Sequence, residues 1–141
     1  MKDIFVDTSA AQQFCNPINE FYKGLLEWLN KEGYLVYTNK LLMEIGRGNQ
    51  NLLLIIDKLI KDGRANKISN NQLKTFTFKK KETSSFVSNK ADWDHIKTVV
   101  LSNRKIAIAV DINLNADINL MPVTDGVQPA AYSCPSECPY K

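Results

Sequence analysis

Four carboxylates occupy positions where a reaction could use them: Asp7, Glu44, Asp92 and Asp111. Asp7 closes the run Ile4-Phe5-Val6, and Asp111 closes Ile106-Ala107-Ile108-Ala109-Val110. Both runs are short, continuous and rich in strand formers, the pattern of strands buried on both faces of a parallel sheet. Ligands and catalytic groups collect at the carboxyl end of such strands. If the two strands are parallel neighbours, their acids lie side by side and repel, and a divalent cation relieves that repulsion. A donor set made of oxygen suits magnesium or manganese better than zinc. The plainer role open to Asp7 is to cap the turn that follows, where Thr8 and Ser9 are also available as caps.

The other two acids sit in helical patterns. Glu44 lies among Leu41, Leu42, Met43 and Ile45. Either it is buried, which needs a partner, or it faces solvent from an amphipathic helix. A helix opening near Ala91 offers both Asp92 and Asp94. With about 100° per residue, Asp92 falls on the face of Ile96, Val99 and Val100, and Asp94 points roughly opposite. Asp92 is therefore the expected inward acid. Asp94 and His95 are expected at the solvent face, the histidine having no companion ligand.

The elements that must position these acids alternate between strand and helix. Phe21, Leu25, Trp28 and Leu29 share one helical face and Gly33 stops that helix; Tyr34-Leu35-Val36-Tyr37 reads as a strand. Helices through 41–45 and 52–60 follow, the second ended by Asp62-Gly63. Leu73 to Phe78 alternates as an edge strand would, and the polar, lysine-rich stretch to Lys90 reads as a partly mobile loop. Ile112 to Met121 reads as one more short strand, and the proline-bearing stretch from Pro122 as an irregular tail. The fold expected is a three-layer α/β/α sandwich with a mostly parallel central sheet.

Composition narrows the classes. A chain of 141 residues, 44% hydrophobic and 23% charged, is sized for one core. Its longest apolar stretch, Leu52 to Ile56, is far below the roughly 18 residues of a membrane span, and no leader pattern opens the chain, so a cytoplasmic location is expected. Cys15, Cys134 and Cys138 lack the partners of a zinc site and are expected as free thiols. Neither a Ser-His-Asp set nor a Gly-rich phosphate loop of the Gly-x-x-x-x-Gly-Lys kind is evident.

Phe-Val-Asp-Thr-Ser at 5–9, Leu-Leu-Met-Glu at 41–44, the acid at 92 and the strand ending in Asp111 together resemble the PIN domain nucleases. The interval of 19 residues from Asp92 to Asp111 also resembles that family's spacing between its third and fourth acids. The resemblance covers residues 1–121, leaving 122–141 as the tail. It implies a magnesium- or manganese-dependent ribonuclease that hydrolyses single-stranded RNA. Asp7, Asp92 and Asp111 would hold metal, with Glu44 as a further ligand or water-orienting group, and these four would form the catalytic set. It also implies a possible toxin role, with an antitoxin protein as partner, and a possible homodimer. Substrate phosphates need basic or hydroxyl groups nearby; Ser9, Lys40, Arg47, Lys90 and Arg104 are the candidates. Ala109 stands where the family often has threonine or serine, which keeps open a second class, a nuclease-dead module binding nucleic acid or protein. A third is a phosphatase or phosphoacceptor using Asp7 as nucleophile.

Overall fold

Strand β1 (Asp3–Val6) runs through the centre of the computed structural model, which describes residues 1–141, and the chain winds outward from it in both directions. From β1 the chain passes through the short helix α1 (Thr8–Ala11), a 3-10 turn and α2 (Glu20–Lys31) to β2 (Tyr34–Tyr37). Two helices, α3 (Asn39–Gly48) and α4 (Gln50–Lys61), then lead to β3 (Ala65–Lys67). The chain next returns across the sheet through α5 (Asn70–Thr75), α6 (Lys80–Ser85), a 3-10 turn at Lys90–Asp92 and α7 (Trp93–Leu101). It enters β4 (Ile106–Ile108) on the far side of β1 and finishes through α8 (Ile112–Leu120) and β5 (Ala130–Tyr132).

All strands are parallel, in the order β3-β2-β1-β4-β5. Parallel crossovers are right-handed almost without exception. The connections running one way across the sheet therefore put their helices on one face, and those running back put theirs on the other. The result is the expected three-layer α/β/α arrangement. The winding reverses between β1 and β4, which are adjacent, parallel and flanked on both sides, as their unbroken apolar runs require. A sheet that reverses there opens a crevice at the carboxyl ends of β1 and β4.

Buried carboxylates help to fix this register. Asp3 accepts from the backbone N–H groups of Asn103 (2.9 Å) and Arg104 (2.8 Å), tying the turn before β4 to the start of β1. At the other end of the strands, the Asp7 N–H donates to the Ile108 carbonyl at 2.9 Å. Tyr22, Leu25, Trp28 and Leu29 of α2 and Ile96, Val99 and Val100 of α7 are all buried in one continuous core.

The structure departs from the sequence reading at Phe21, which is exposed while Tyr22 takes its place in the core, at the lysine-rich stretch after Phe78, which holds α6, and in three further segments. Leu73 to Phe78 is not an edge strand. Ser69 and Gln72 form a reciprocal capping box that starts α5 instead, and Phe76 and Phe78 stack outside it. Residues 112–121 alternate apolar and polar as a strand would, yet they form α8. Asp111 supplies its cap, and a parallel β4–β5 connection requires a crossover. As a consequence, two residues of that alternation are left outside, Ile112 at 81% and Leu120 at 62% exposed. The segment after Pro122 is not an irregular tail: β5 extends the sheet, and Cys138 and Tyr140 join the core, Tyr140 packing edge-on to Trp28. Burial there pushes the Cys138 thiol up to about 11. No helix is long and apolar enough to cross a membrane.

Candidate metal centre

Asp7 leaves β1 at the reversal of the sheet and is buried, the residue 8% exposed. It precedes α1 but makes no side-chain capping bond to that helix, so the capping role does not account for it. Instead it faces two groups brought from other elements. Glu44 comes from the second turn of α3, whose start is fixed by the Thr38 hydroxyl accepting from Leu41 N–H at 3.1 Å. His95 comes from the first turn of α7 and is 2% exposed, its ring packed at 5.4 Å from that of Phe5. One ligand atom from each of Asp7, Glu44 and His95 lies within 4.8 Å of the others.

Glu44 is half-buried and held through both oxygens. Thr8 Oγ1 donates to Oε2 at 3.0 Å, and His95 Nε2 lies 3.2 Å from Oε1. The same nitrogen is 3.8 Å from Asp7 Oδ1. Chiefly through the His95 hydrogen bond, and further through Thr8 and the Lys40 charge, Glu44 is held below the ordinary carboxylate range despite some burial. Asp7 is shifted the other way. Burial raises it most, and the negative charges of Glu44 and Asp92 add to this, against the pull of His95 and the Thr8 N–H.

The two shifts give opposite pH dependences. Glu44, lowered on folding, stabilises the fold above its ordinary value of 4.5, and this is lost as pH falls through its lower folded value. Asp7, raised on folding, favours the folded state below 3.8 and gives that stability up as pH rises through its higher folded value. Without metal, Asp7→Asn is therefore expected to raise the melting temperature at neutral pH. The gain should shrink as pH falls through the folded value of Asp7 and vanish below 3.8. Thermal unfolding of both proteins in chelator across that range checks it.

The structure sorts the sequence candidates. It brings Asp7 and Glu44 together. Asp92 belongs to the 3-10 turn just before α7, half-buried, with its charge felt at Asp7 but outside the tightest group. Asp94 lies on another side of the same helix, lining a groove with Lys74 and Lys97. Asp111 is exposed and engaged, its Oδ1 accepting from Asn113 N–H (2.8 Å) and Leu114 N–H (3.2 Å) as the cap of α8. It does not join the group. The position that continues β4 beside Asp7 is Ala109, and Asp111 lies two residues beyond it.

His95, expected at the solvent face, is instead buried in the group. The packed face of α7 includes Thr98 as well as Ile96, Val99 and Val100, which widens it enough to take in His95. Thr98, three positions after His95 and itself only weakly apolar, was the available signal. Among the substrate candidates, Ser9 and Arg47 are exposed, and Lys40 donates to the Ala91 carbonyl beside Glu44. Arg104 is at the wrong end of the sheet. Its backbone is bound by Asp3 at the start of β1, roughly 13 Å of strand from Asp7, and its guanidinium donates to the Pro139 carbonyl.

The donor set fits a hard divalent cation through its carboxylates. His95 Nδ1 is buried with no hydrogen-bond partner. If Nε2 bound metal, Nδ1 would carry a proton with no acceptor, at a cost of about 1–3 kcal/mol, whereas ligating histidines ordinarily have such an acceptor. With the proton on Nε2, directed at Glu44, Nδ1 keeps only a lone pair, and the ring serves to hold Glu44. No family model, curated protein or solved structure matches the chain.

Proposed function

We propose that the protein is a divalent-metal-dependent ribonuclease of the PIN kind that hydrolyses single-stranded RNA. The observation that carries this reading is the buried, uncapped Asp7 facing Glu44 at the reversal of a parallel sheet. Asp7 and Glu44 would hold a magnesium or manganese ion, with Asp92 adding negative charge from the turn beside them. Such an ion, when bound, supplies Lewis acidity toward a phosphate oxygen and a water made nucleophilic at neutral pH.

The chain's own groups do the positioning. Thr8 and His95 fix the two Glu44 oxygens, so that the remaining lone pairs point in set directions. Lys40 ties the turn bearing Asp92 to α3 through the Ala91 carbonyl. His95→Leu is expected to weaken manganese binding and cleavage together by about 10- to 100-fold, the usual effect of removing a group that orients a ligand. His95→Gln, which restores an N–H donor, should recover part of both, as titration and initial rates will read.

A second reading, a metal-binding module that does not cut, draws on Asp111, which is engaged as a helix cap, and on Ala109 beside Asp7. Incubation of mixed single-stranded RNA with the protein in manganese, in magnesium and in chelator separates the two. Metal-dependent fragments support the ribonuclease. Intact RNA alongside demonstrable manganese binding supports the module.

A further inference from the structure

The net charge of the chain is concentrated in one segment. Residues 74–97 carry six lysines against three acids, whereas the rest of the chain has twelve basic and twelve acidic residues, so this segment accounts for the whole +3. It also carries a partly exposed aromatic cluster. Phe78 stands edge-on to Phe76 at 5.2 Å, to Phe86 at 5.0 Å and to Trp93 at 6.2 Å. Lys90 lies 6.0 Å from the Trp93 ring and Lys97 5.7 Å from that of Phe78. Lys74, Lys90 and Lys97, with Phe76, Phe78 and Trp93, line one open groove that holds a single carboxylate, Asp94.

Apolar rings with lysines lying over their faces suit an unpaired polynucleotide: the flexible lysines can swing to its phosphates and leave ring faces on which bases stack. An acidic peptide would use the lysines and leave the ring faces unused. The groove also adjoins the carboxylates, since Asp92, whose charge reaches Asp7, stands between Lys90 and Trp93 in the chain. We propose that this aromatic and lysine-lined groove binds single-stranded RNA by base stacking and leads the strand toward Asp7 and Glu44. The direction of the strand rests on the ribonuclease reading; the binding does not.

The test is fluorescence anisotropy of a labelled oligouridylate with the full chain in chelator, so that no cleavage is needed. Wild type should bind, and an RNA duplex of equal length should bind at least about 10-fold more weakly, because paired bases cannot stack on side chains. Lys74→Gln with Lys90→Gln alters two exposed side chains and leaves the rings in place. That double variant should lower affinity about 10-fold and reduce the salt slope by roughly 1.4, about 0.7 for each phosphate contact on a single strand. Lys58→Gln with Lys61→Gln, on α4, should change neither by more than about twofold, being outside the groove. Trp93 fluorescence should be quenched by the oligouridylate and not by hexaglutamate. No binding by wild type, equal loss in both double variants, or equal quenching by hexaglutamate would overturn the proposal. A protein that binds in this way but never cuts would overturn the ribonuclease reading alone; one that cuts with a KM indifferent to Lys74 and Lys90 would overturn the groove alone.

Discussion

Asp7→Asn is expected to lower the rate of the proposed RNA cleavage by at least about three orders of magnitude, some 4 kcal/mol of transition-state stabilisation, the several kcal/mol that a metal's charge contributes. The reason lies in what Asp7 does not do. Its side chain makes no capping bond and comes no closer than 3.8 Å to His95, so its buried carboxylate has no structural use that equals its desolvation. Asparagine keeps the size and shape and removes the charge. Folding should therefore persist while cation affinity falls: single-turnover rates across a manganese titration read the second effect, and circular dichroism checks the first.

The largest effect on stability is expected at Asp117. This carboxylate is fully buried in α8 and accepts from the backbone N–H groups of Val87 (2.9 Å) and Ser88 (2.8 Å), with a further bond from the Ser88 hydroxyl. It anchors the segment that leads from α6 into the turn carrying Asp92. Asp117→Ala removes the acceptor and leaves those donors to compete for water, at a cost of about 3 kcal/mol, given 1.5–3 kcal/mol for a hydrogen bond to a charged group. Asp117→Asn should cost less, because one oxygen remains, but its amide adds donors where only acceptors are wanted. Urea unfolding will give the difference. Limited proteolysis should show new cleavage between Lys79 and Lys90 in the alanine variant well below its unfolding midpoint.

What was legible in the sequence is what depends on local pattern and strong burial. Ile4 to Val6 and Ile106 to Ala109 declare interior strands because both of their faces are covered, and Asp7 follows from where the first of them ends. Glu44 interrupts an apolar helix visibly enough to be suspected. The α8 segment misled because Ile112, Leu114, Ala116, Ile118 and Leu120 alternate with polar residues, a period that suits a strand. Only the demand for a crossover and the Asp111 cap decide for helix. That one reversal also changes the role of Asp111, from a ligand beside Asp7 to a cap. His95 was hidden for a different reason. A histidine is usually at home in solvent, and its burial depends on Phe5 and Glu44, which approach from other elements. The segment after Pro122 conceals its strand because that strand is only three residues long, Ala130-Ala131-Tyr132, and its partner β4 lies more than twenty positions earlier in the chain.

The most direct test of the central claim is manganese binding followed by electron paramagnetic resonance, in which the free-ion signal disappears as the ion is taken up. The account predicts saturable uptake by the wild-type protein and at least about a 100-fold weaker affinity in Asp7→Asn, a loss of roughly 2.7 kcal/mol. Asp111→Ala should bind as wild type does, since its carboxylate serves α8. Wild type that takes up no manganese, or Asp7→Asn that takes it up equally well, would contradict the assignment of Asp7 and Glu44 as a cation site.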